Sequence, residues 1–260
     1  MQALLSELAR DFVRLRLAKA DGVVGVLLVG SSSIGCADRS SDIDLEVFVT
    51  KESYSSVRRT FEGHESYRGK DVSWEWMTVE ELEDALIGWK NDVDLWVYSK
   101  STILFDLHGK LRMLLGKYKR YPRRVWREKL FLYWYFATGN APYDSGKAIQ
   151  RDDLTTAQLC LNQAMDYYTA LIFILNKSFV PYRKWRLREL GKLRYKPEDY
   201  IEVLRGILTT VRWTKQEFEA KQSIINNLVS ELEKKLLDSG VKKEKLEDPW
   251  KFKVADMPRI

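Results

Sequence analysis

Hydrophobic positions repeat with two different periods along the chain, and the change of period divides it in two. In the first half, short β-like apolar runs alternate with amphipathic helical stretches. The pattern predicts strands over residues 23–29, 43–50, 72–77 and 102–105, and helices over residues 4–20, 53–63, 78–90 and 109–119. Strands that alternate with helices in this way indicate an α/β layer with a mixed sheet.

Near Tyr121-Pro122 the strand signals stop. Apolar residues at helical spacing predict helices over 125–138, 161–175, 199–208 and 214–237, with a break at residues 139–142 and an extended or frayed tail after Gly240. The sequence therefore predicts an α/β (α+β) domain with a mixed sheet over residues 1–120, followed by an all-α helical bundle over residues 121–260.

The segment from Leu27 to Leu45 carries the most informative chemistry. An apolar strand ends at Gly30-Ser31, a loop of small residues follows, and the next strand carries Asp42 and Asp44 one residue apart. Because strand side chains alternate, both aspartates point the same way. Neighbouring carboxylates repel unless a cation lies between them, and an all-oxygen ligand set favours Mg²⁺ or Mn²⁺.

This segment resembles the nucleotidyltransferases of the DNA polymerase β superfamily. The resemblance covers Gly30-Ser31, the turn from Gly35 to Asp38 and the run from Ser41 to Leu45. It is closest to the aminoglycoside and lincosamide nucleotidyltransferases and their prokaryotic relatives, and it implies a third acid on a later strand.

Glu75 is the expected third acid, with Asp71 on the same strand face as the alternative. Glu75 lies three residues before Thr78, where a Thr-x-x-Glu pattern predicts a capping box that opens a helix. The resemblance implies that Asp42, Asp44 and Glu75 are catalytic and bind the metal. Glu46 shares their strand parity and is expected to face solvent.

The resemblance also implies nucleotide-binding residues. Gly30 allows the backbone to approach the phosphates, Ser31 donates its hydroxyl and N–H groups to them, and Ser41 belongs to the same motif. In the second half, an Asn…Pro-Tyr-x-Lys-Trp pattern similar to that of the helical domain of relatives assigns Lys184, or its neighbour Arg183, to the triphosphate. The alternative for this segment is a solvated basic turn.

The expected reaction transfers a nucleoside monophosphate, AMP from ATP, to a hydroxyl of a small-molecule acceptor and releases pyrophosphate. Asp166 and Glu189 are candidate bases. The alternatives are transfer to an RNA 3′ end or a protein side chain, and a nucleotide-binding module without turnover. A P-loop is disfavoured because Cys36 stands where that motif requires lysine.

The composition limits which classes of binding partner we expect. The 260 residues carry a formal charge of +6 from 43 basic and 37 acidic residues, so nucleic acid is a possible but not a favoured partner. Two distant cysteines indicate neither a disulfide framework nor a zinc site. The chain lacks a long apolar run and its N-terminus has an amphipathic pattern, so we expect a cytoplasmic protein without a membrane partner. The oligomeric state stays open.

Overall fold

Five strands of the first half of the chain form one mixed sheet in the computed structural model, which describes residues 1–60 and 63–252. The sheet order is β3-β4-β2-β1-β5; β2 and β4 run parallel, and all other neighbours run antiparallel. The strands are β1 (Val23–Val29), β2 (Ile43–Val49), β3 (His64–Tyr67), β4 (Lys70–Thr78) and β5 (Thr102–Asp106).

Helices cover both faces of the sheet. On one face, β1, β2 and β4 pack apolar side chains against the N-terminal helix, where Phe12 is buried. On the other face, Leu111 packs closely over Gly25 of β1. The helices of this part are α1 (Gln2–Phe12), α2 (Gly30–Ser33), α3 (Lys51–Thr60), α4 (Val79–Leu86), α5 (Asp92–Lys100) and α6 (Lys110–Lys117).

The chain divides into two units, Met1–Arg120 and Tyr121–Ile260. In the second unit, every regular element within the described residues is helical, and the core is built around one long helix that contacts its neighbours on several sides. These helices are α7 (Arg123–Thr138), α8 (Ser145–Gln150), α9 (Leu154–Leu175), α10 (Arg183–Leu190), α11 (Tyr200–Leu208), α12 (Lys215–Asp238) and α13 (Lys243–Glu247).

The predicted fold class, a mixed α/β sheet domain followed by a helical region, is confirmed. All four predicted strands are present, β1 with the predicted ends. The hairpin strand β3 and the helices α5, α8, α10 and α13 were not predicted. The predicted helix at residues 53–63 runs from Lys51 to Thr60, and residues 61 and 62 lie outside the described residues.

Two predictions about chain breaks are wrong. Residues Gly139–Asp144 do not interrupt the helix but continue it as a π-helical turn from α7 into α8. This wider turn accommodates Pro142, which has no N–H to donate. The tail after Gly240 forms α13 and a short 3₁₀ turn, Pro249–Lys251, rather than an extended end; residues 253–260 lie outside the described part.

Each helix in the described residues is too short or too polar to cross a lipid bilayer.

Candidate functional site

Carboxylates gather on one side of the sheet where β2 and β4 lie side by side. The parallel register pairs Asp44 with Ser73 and Glu46 with Glu75, and paired residues of adjacent strands point to the same side. Asp42, one residue before β2, has the same parity. We call Asp42, Asp44, Glu46 and Glu75 the acidic face.

Burial increases along the acidic face. Asp42 is exposed, Asp44 and Glu46 are half-buried, and Phe48, the next residue of the same parity, is completely buried. The intervening residue Leu45 is buried on the opposite side at 2% exposure. The strand alternation predicted from the sequence therefore places the aspartates toward the solvent-exposed end of the acidic face. The other end, at Glu46, adjoins the buried core.

Gly30 and Asp44 are in direct contact. Val29 pairs with Asp44 across β1 and β2, and the next residue, Gly30, has a positive φ of 65°. A Cβ at Gly30 would lie 2.1 Å from Asp44 Oδ2. Ser73 donates a hydrogen bond of 3.1 Å to Asp44 Oδ1. Glycine therefore allows the carboxylate to lie against the backbone, and Ser73 holds it there from β4.

Hydrogen bonds hold the loop between β1 and β2. Ser32 Oγ donates to the carbonyl of Asp42 at 3.0 Å. Ser40 donates to Asp38 through its N–H and hydroxyl, and the Ser41 hydroxyl donates to the same Oδ1 oxygen. Bonds first from Ser40 and then from Ser41 lower the pKa of the Asp38 carboxyl. Lys70 Nζ of β4 donates to the Ser41 carbonyl at 3.2 Å. The predicted nucleotide ligand Ser41 thus has its side chain within this loop network.

Ser31, the other serine predicted to contact phosphates, follows Gly30 in the single turn α2 and is half-buried. Its carbonyl accepts from the Cys36 N–H at 3.1 Å, which closes the small-residue loop behind it. Ser31 therefore lies next to Gly30, the residue that contacts Asp44. Its contact with a nucleotide stays a prediction.

Glu46 is the residue of the acidic face that sequence analysis misjudged, since it does not simply face solvent. Burial raises the pKa of Glu46 to about 7, the charges of Glu75 and Asp94 add to this increase, and a hydrogen bond with Tyr98 opposes it. Its Oε2 is buried without a hydrogen-bond partner among the described residues. Burial also raises the pKa of Tyr98, so its hydroxyl stays protonated and serves as the donor.

The donor chemistry of the acidic face fits a divalent metal. Asp42, Asp44 and Glu75 offer only carboxylate oxygens, which Mg²⁺ and Mn²⁺ prefer. Within the described residues, no group of three or more histidine, cysteine, aspartate or glutamate side chains converges as a metal site. The register places Asp44 and Glu75 on the same side of neighbouring strands, and metal binding by these carboxylates stays a prediction.

The two candidates for the third ligand lie on either side of Ser73. Glu75 is exposed and pairs with Glu46 on β2. Asp71 is also exposed, pairs with Ser66 on β3, and its Oδ1 lies 3.9 Å from His64 Nε2. The assignment of Glu75 stays a prediction, with Asp71 as its alternative.

In the second unit, Lys184 lies in the first turn of α10 and is exposed. Its Nζ lies 5.5 Å from the centroid of the Trp185 ring and forms no ion pair among the described residues. Its neighbour Arg183 instead pairs with Asp166, which also accepts from the buried Arg186 at 3.3 Å. Lys184 is therefore the more available cation of the two that the sequence suggested.

The candidate bases are both ion-paired. Asp166 accepts from two guanidinium groups through different oxygens. Glu189 is 7% exposed and pairs with Lys192. Neither carboxylate is free to accept a proton from an acceptor hydroxyl in this arrangement.

Comparison with known proteins identifies the fold. A family model described as a domain of unknown function (DUF4037) matches residues 91–186. No curated protein matches the chain. The chain is similar to a crystal structure of a nucleotidyltransferase-like protein from Exiguobacterium sibiricum 255-15, with a TM-score of 0.56 and 14% identity over 89% of this chain and 78% of that one. The chain therefore has a nucleotidyltransferase-like fold, in which a mixed sheet with helices is followed by a helical region.

Proposed function

We propose that this chain is a divalent-metal-dependent nucleotidyltransferase that moves a nucleoside monophosphate from a triphosphate, expected to be ATP, to a hydroxyl of a small-molecule acceptor. The observation that carries the proposal is the contact of the Asp44 carboxylate with Gly30, at the edge of an acidic face in a nucleotidyltransferase-like fold. We also propose that the chain is related to the narrower group of aminoglycoside and lincosamide nucleotidyltransferases.

In this proposal, Asp42, Asp44 and Glu75 hold Mg²⁺ or Mn²⁺. When bound, the metal stabilises the entering and leaving oxygens of an in-line displacement at phosphorus. Gly30 has no side chain and so lets the phosphates approach the backbone, and the assignment of Lys184 to the phosphates stays a prediction from its sequence pattern.

At the α-phosphorus, the reaction forms one bond and breaks one. The acceptor oxygen bonds to the α-phosphorus, the bond between that phosphorus and the oxygen bridging to the β-phosphorus breaks, and pyrophosphate leaves. The hydroxyl proton passes to a base or to solvent. Asp166 and Glu189 are poor candidates for that base because arginine and lysine already occupy their oxygens.

The decisive experiment incubates the chain and Mg²⁺ with nucleoside triphosphates labelled at the α-phosphate, against pooled aminoglycosides, lincosamides, tRNA and protein extract. We expect labelled product and pyrophosphate release, both reduced at least about 100-fold by Asp44→Asn. Parallel assays of Glu75→Gln and Asp71→Asn identify the third ligand by the larger loss. Turnover that survives Asp42→Asn/Asp44→Asn would refute the proposal.

A second candidate is transfer to RNA, with which the charge of +6 is compatible. In that case tRNA would be the labelled acceptor, and its binding would weaken steeply as salt increases. If the chain binds nucleotide but transfers nothing to any pool, it is a nucleotide-binding module.

A further inference from the structure

The two neighbouring aspartates of the acidic face are held by different parts of the structure. The pairing of β2 with β4 begins at Ile43, and its pairing with β1 begins at Asp44. Asp44 therefore lies within two hydrogen-bonded ladders, and its carboxylate also accepts from the Ser73 hydroxyl. Asp42 lies just before both ladders, so the position of its backbone depends on contacts made outside the sheet.

Ser32 makes such a contact. It is buried in α2 with 1% exposure, and its Oγ donates to the Asp42 carbonyl at 3.0 Å. The carbonyl of Ser32 accepts in turn from the side-chain amide of Gln2 in α1. A buried hydroxyl is rarely left without a hydrogen-bond partner, so this bond restricts both of its ends. Ser32 thereby connects Asp42 to the turn that contains Gly30 and Ser31.

The segment before Asp42 is secured from another element. Lys70 Nζ of β4 donates to the Arg39 carbonyl at 2.7 Å and to the Ser41 carbonyl at 3.2 Å. Lys70 thus holds the loop up to Ser41, whereas Ser32 holds Asp42 itself. Of these two contacts, only that of Ser32 joins Asp42 to the turn of Gly30.

Ser32 bonds to the backbone of Asp42 and not to its carboxylate. The bond therefore uses neither Oδ atom of Asp42, whose side chain is exposed. Ser73, in contrast, bonds to a carboxylate oxygen of Asp44. A support through the backbone fixes the starting point of the side chain without competing with a cation for its oxygens. This arrangement suits a residue that orients a metal ligand.

We propose that Ser32 is a positioning residue for the transfer reaction, which sets the place of the Asp42 carboxylate relative to the turn of Gly30 and Ser31. This inference rests on the proposed function, in which Asp42 holds the metal and the turn receives the phosphates. Ser32 acts only through Asp42, because its buried hydroxyl is engaged with the Asp42 carbonyl. Without this bond, more backbone freedom is lost when Asp42 binds a cation.

Ser33 provides a matched control within the same turn. Its Oγ donates to the Gly30 carbonyl at 3.0 Å, a bond that stays inside α2 and does not reach Asp42. Ser32→Ala and Ser33→Ala each remove one hydroxyl and one hydrogen bond to a backbone carbonyl. Urea unfolding verifies that each variant is folded under the conditions of the binding assay.

The test is titration of Mn²⁺ with a non-hydrolysable ATP analogue, followed by electron paramagnetic resonance. We expect Ser32→Ala to bind Mn²⁺ about fivefold more weakly than the wild type, and Ser33→Ala to bind like the wild type. The loss is smaller than the roughly 10–100-fold that follows removal of a direct hydrogen-bond partner of a metal ligand, because Ser32 bonds to the backbone. Ser32→Cys keeps a weaker donor and should give an intermediate affinity.

A double-mutant cycle separates positioning from a general structural role. In the Asp42→Asn chain, Asp44 and Glu75 remain to bind Mn²⁺. If Ser32 acts through Asp42, adding Ser32→Ala to this chain changes the affinity by less than about 1.5-fold. A serine that only stabilises the turn would weaken binding by the same factor in both backgrounds.

Equal Mn²⁺ binding by Ser32→Ala and the wild type would overturn the inference and leave the proposed function in place. An equal loss in Ser33→Ala, an affinity that does not follow donor strength from serine to cysteine to alanine, or an additive loss in Asp42→Asn would also overturn it. If the wild-type chain binds no Mn²⁺, the proposed function fails and the inference fails with it.

Discussion

Gly30 can be tested against a second glycine with the same backbone requirement. Gly30 and Gly35 both have positive φ, but a Cβ at Gly35 meets nothing within 4 Å, whereas one at Gly30 lies 2.1 Å from Asp44 Oδ2. We expect Gly35→Ala to lower the free energy of unfolding by about 1–2 kcal/mol, the cost of a left-handed alanine. We expect Gly30→Ala to lower the free energy of unfolding by about 1–3 kcal/mol more than Gly35→Ala does, because Asp44 must move. Urea unfolding measures both.

The difference between the two glycine variants isolates the contact with Asp44. Gly30→Ala is also expected to weaken Mn²⁺ binding, while Gly35→Ala leaves it intact. Equal effects of the two substitutions on stability would mean that the Asp44 contact carries no energy.

Glu46 makes stability depend on pH in a direction opposite to that of a salt-bridged acid. Its pKa of about 7 in the folded chain lies above the ordinary value of 4.5, so the folded state binds more protons between those two values. The free energy of unfolding therefore falls as pH rises from 4.5 to 7, by about 3 kcal/mol. In Glu46→Gln, which keeps an acceptor for Tyr98, this loss disappears. Urea unfolding in EDTA from about pH 4 to 8 measures it.

Glu75→Gln is the control for this prediction. Glu75 is exposed on the same face, so its substitution should leave most of the pH dependence in place. If Glu46→Gln and the wild type show parallel pH profiles, Glu46 is not buried as an acid.

The sequence specified the aspartates of the acidic face but not the role of Glu46. Alternation along β2 places all three acids on one side, whereas the contact between Gly30 and Asp44 was not predicted, because it depends on the pairing of β1 with β2. Burial of Glu46 depends on α5, whose apolar residues occur around the helix, while its buried stripe includes the charged residue Asp92. Such a helix has no clear period to detect.

The capping box of α4 is an element that the sequence predicted and the structure confirms. Thr78 Oγ1 accepts from the Glu81 N–H at 3.2 Å, and Glu81 Oε2 accepts from the Thr78 N–H at 2.7 Å. We expect Thr78→Ala to lower the free energy of unfolding by about 1 kcal/mol. Thr155→Ala, at an exposed site in the first turn of α9, should cost less than half of that. Equal losses would show that the cap adds no stability.

Elements whose hydrophobic residues repeat with a clear period were predictable from the sequence, and elements without such a repeat were not. β1 and β2 are apolar strands of the central sheet, and α9 and α12 are long helices with buried stripes. The strand β3 has only four residues and none is fully buried, so it carries no hydrophobic signal. The π-helical turn was misread as a break because glycine and proline ordinarily end a helix.

For the whole chain, the fold class was predictable because it depends on the order of many elements. Strand-like runs alternate with helices and then stop, and that order survives errors at single boundaries. A cavity of about 560 Å³ in the second unit was not predictable, because Tyr135, Cys160 and Trp250, which line it, come from distant parts of the sequence. No local pattern marks residues that only the tertiary fold brings together.

The central claim is that the acidic face binds divalent metal together with a nucleoside triphosphate. Titration of Mn²⁺ into the chain with a non-hydrolysable ATP analogue, followed by electron paramagnetic resonance, tests it most directly. We predict saturable binding that Asp42→Asn/Asp44→Asn weakens at least about tenfold. Glu83→Gln/Asp84→Asn, which removes two exposed acids of α4, should bind like the wild type. Unchanged Mn²⁺ binding by the Asp42→Asn/Asp44→Asn chain would contradict the account.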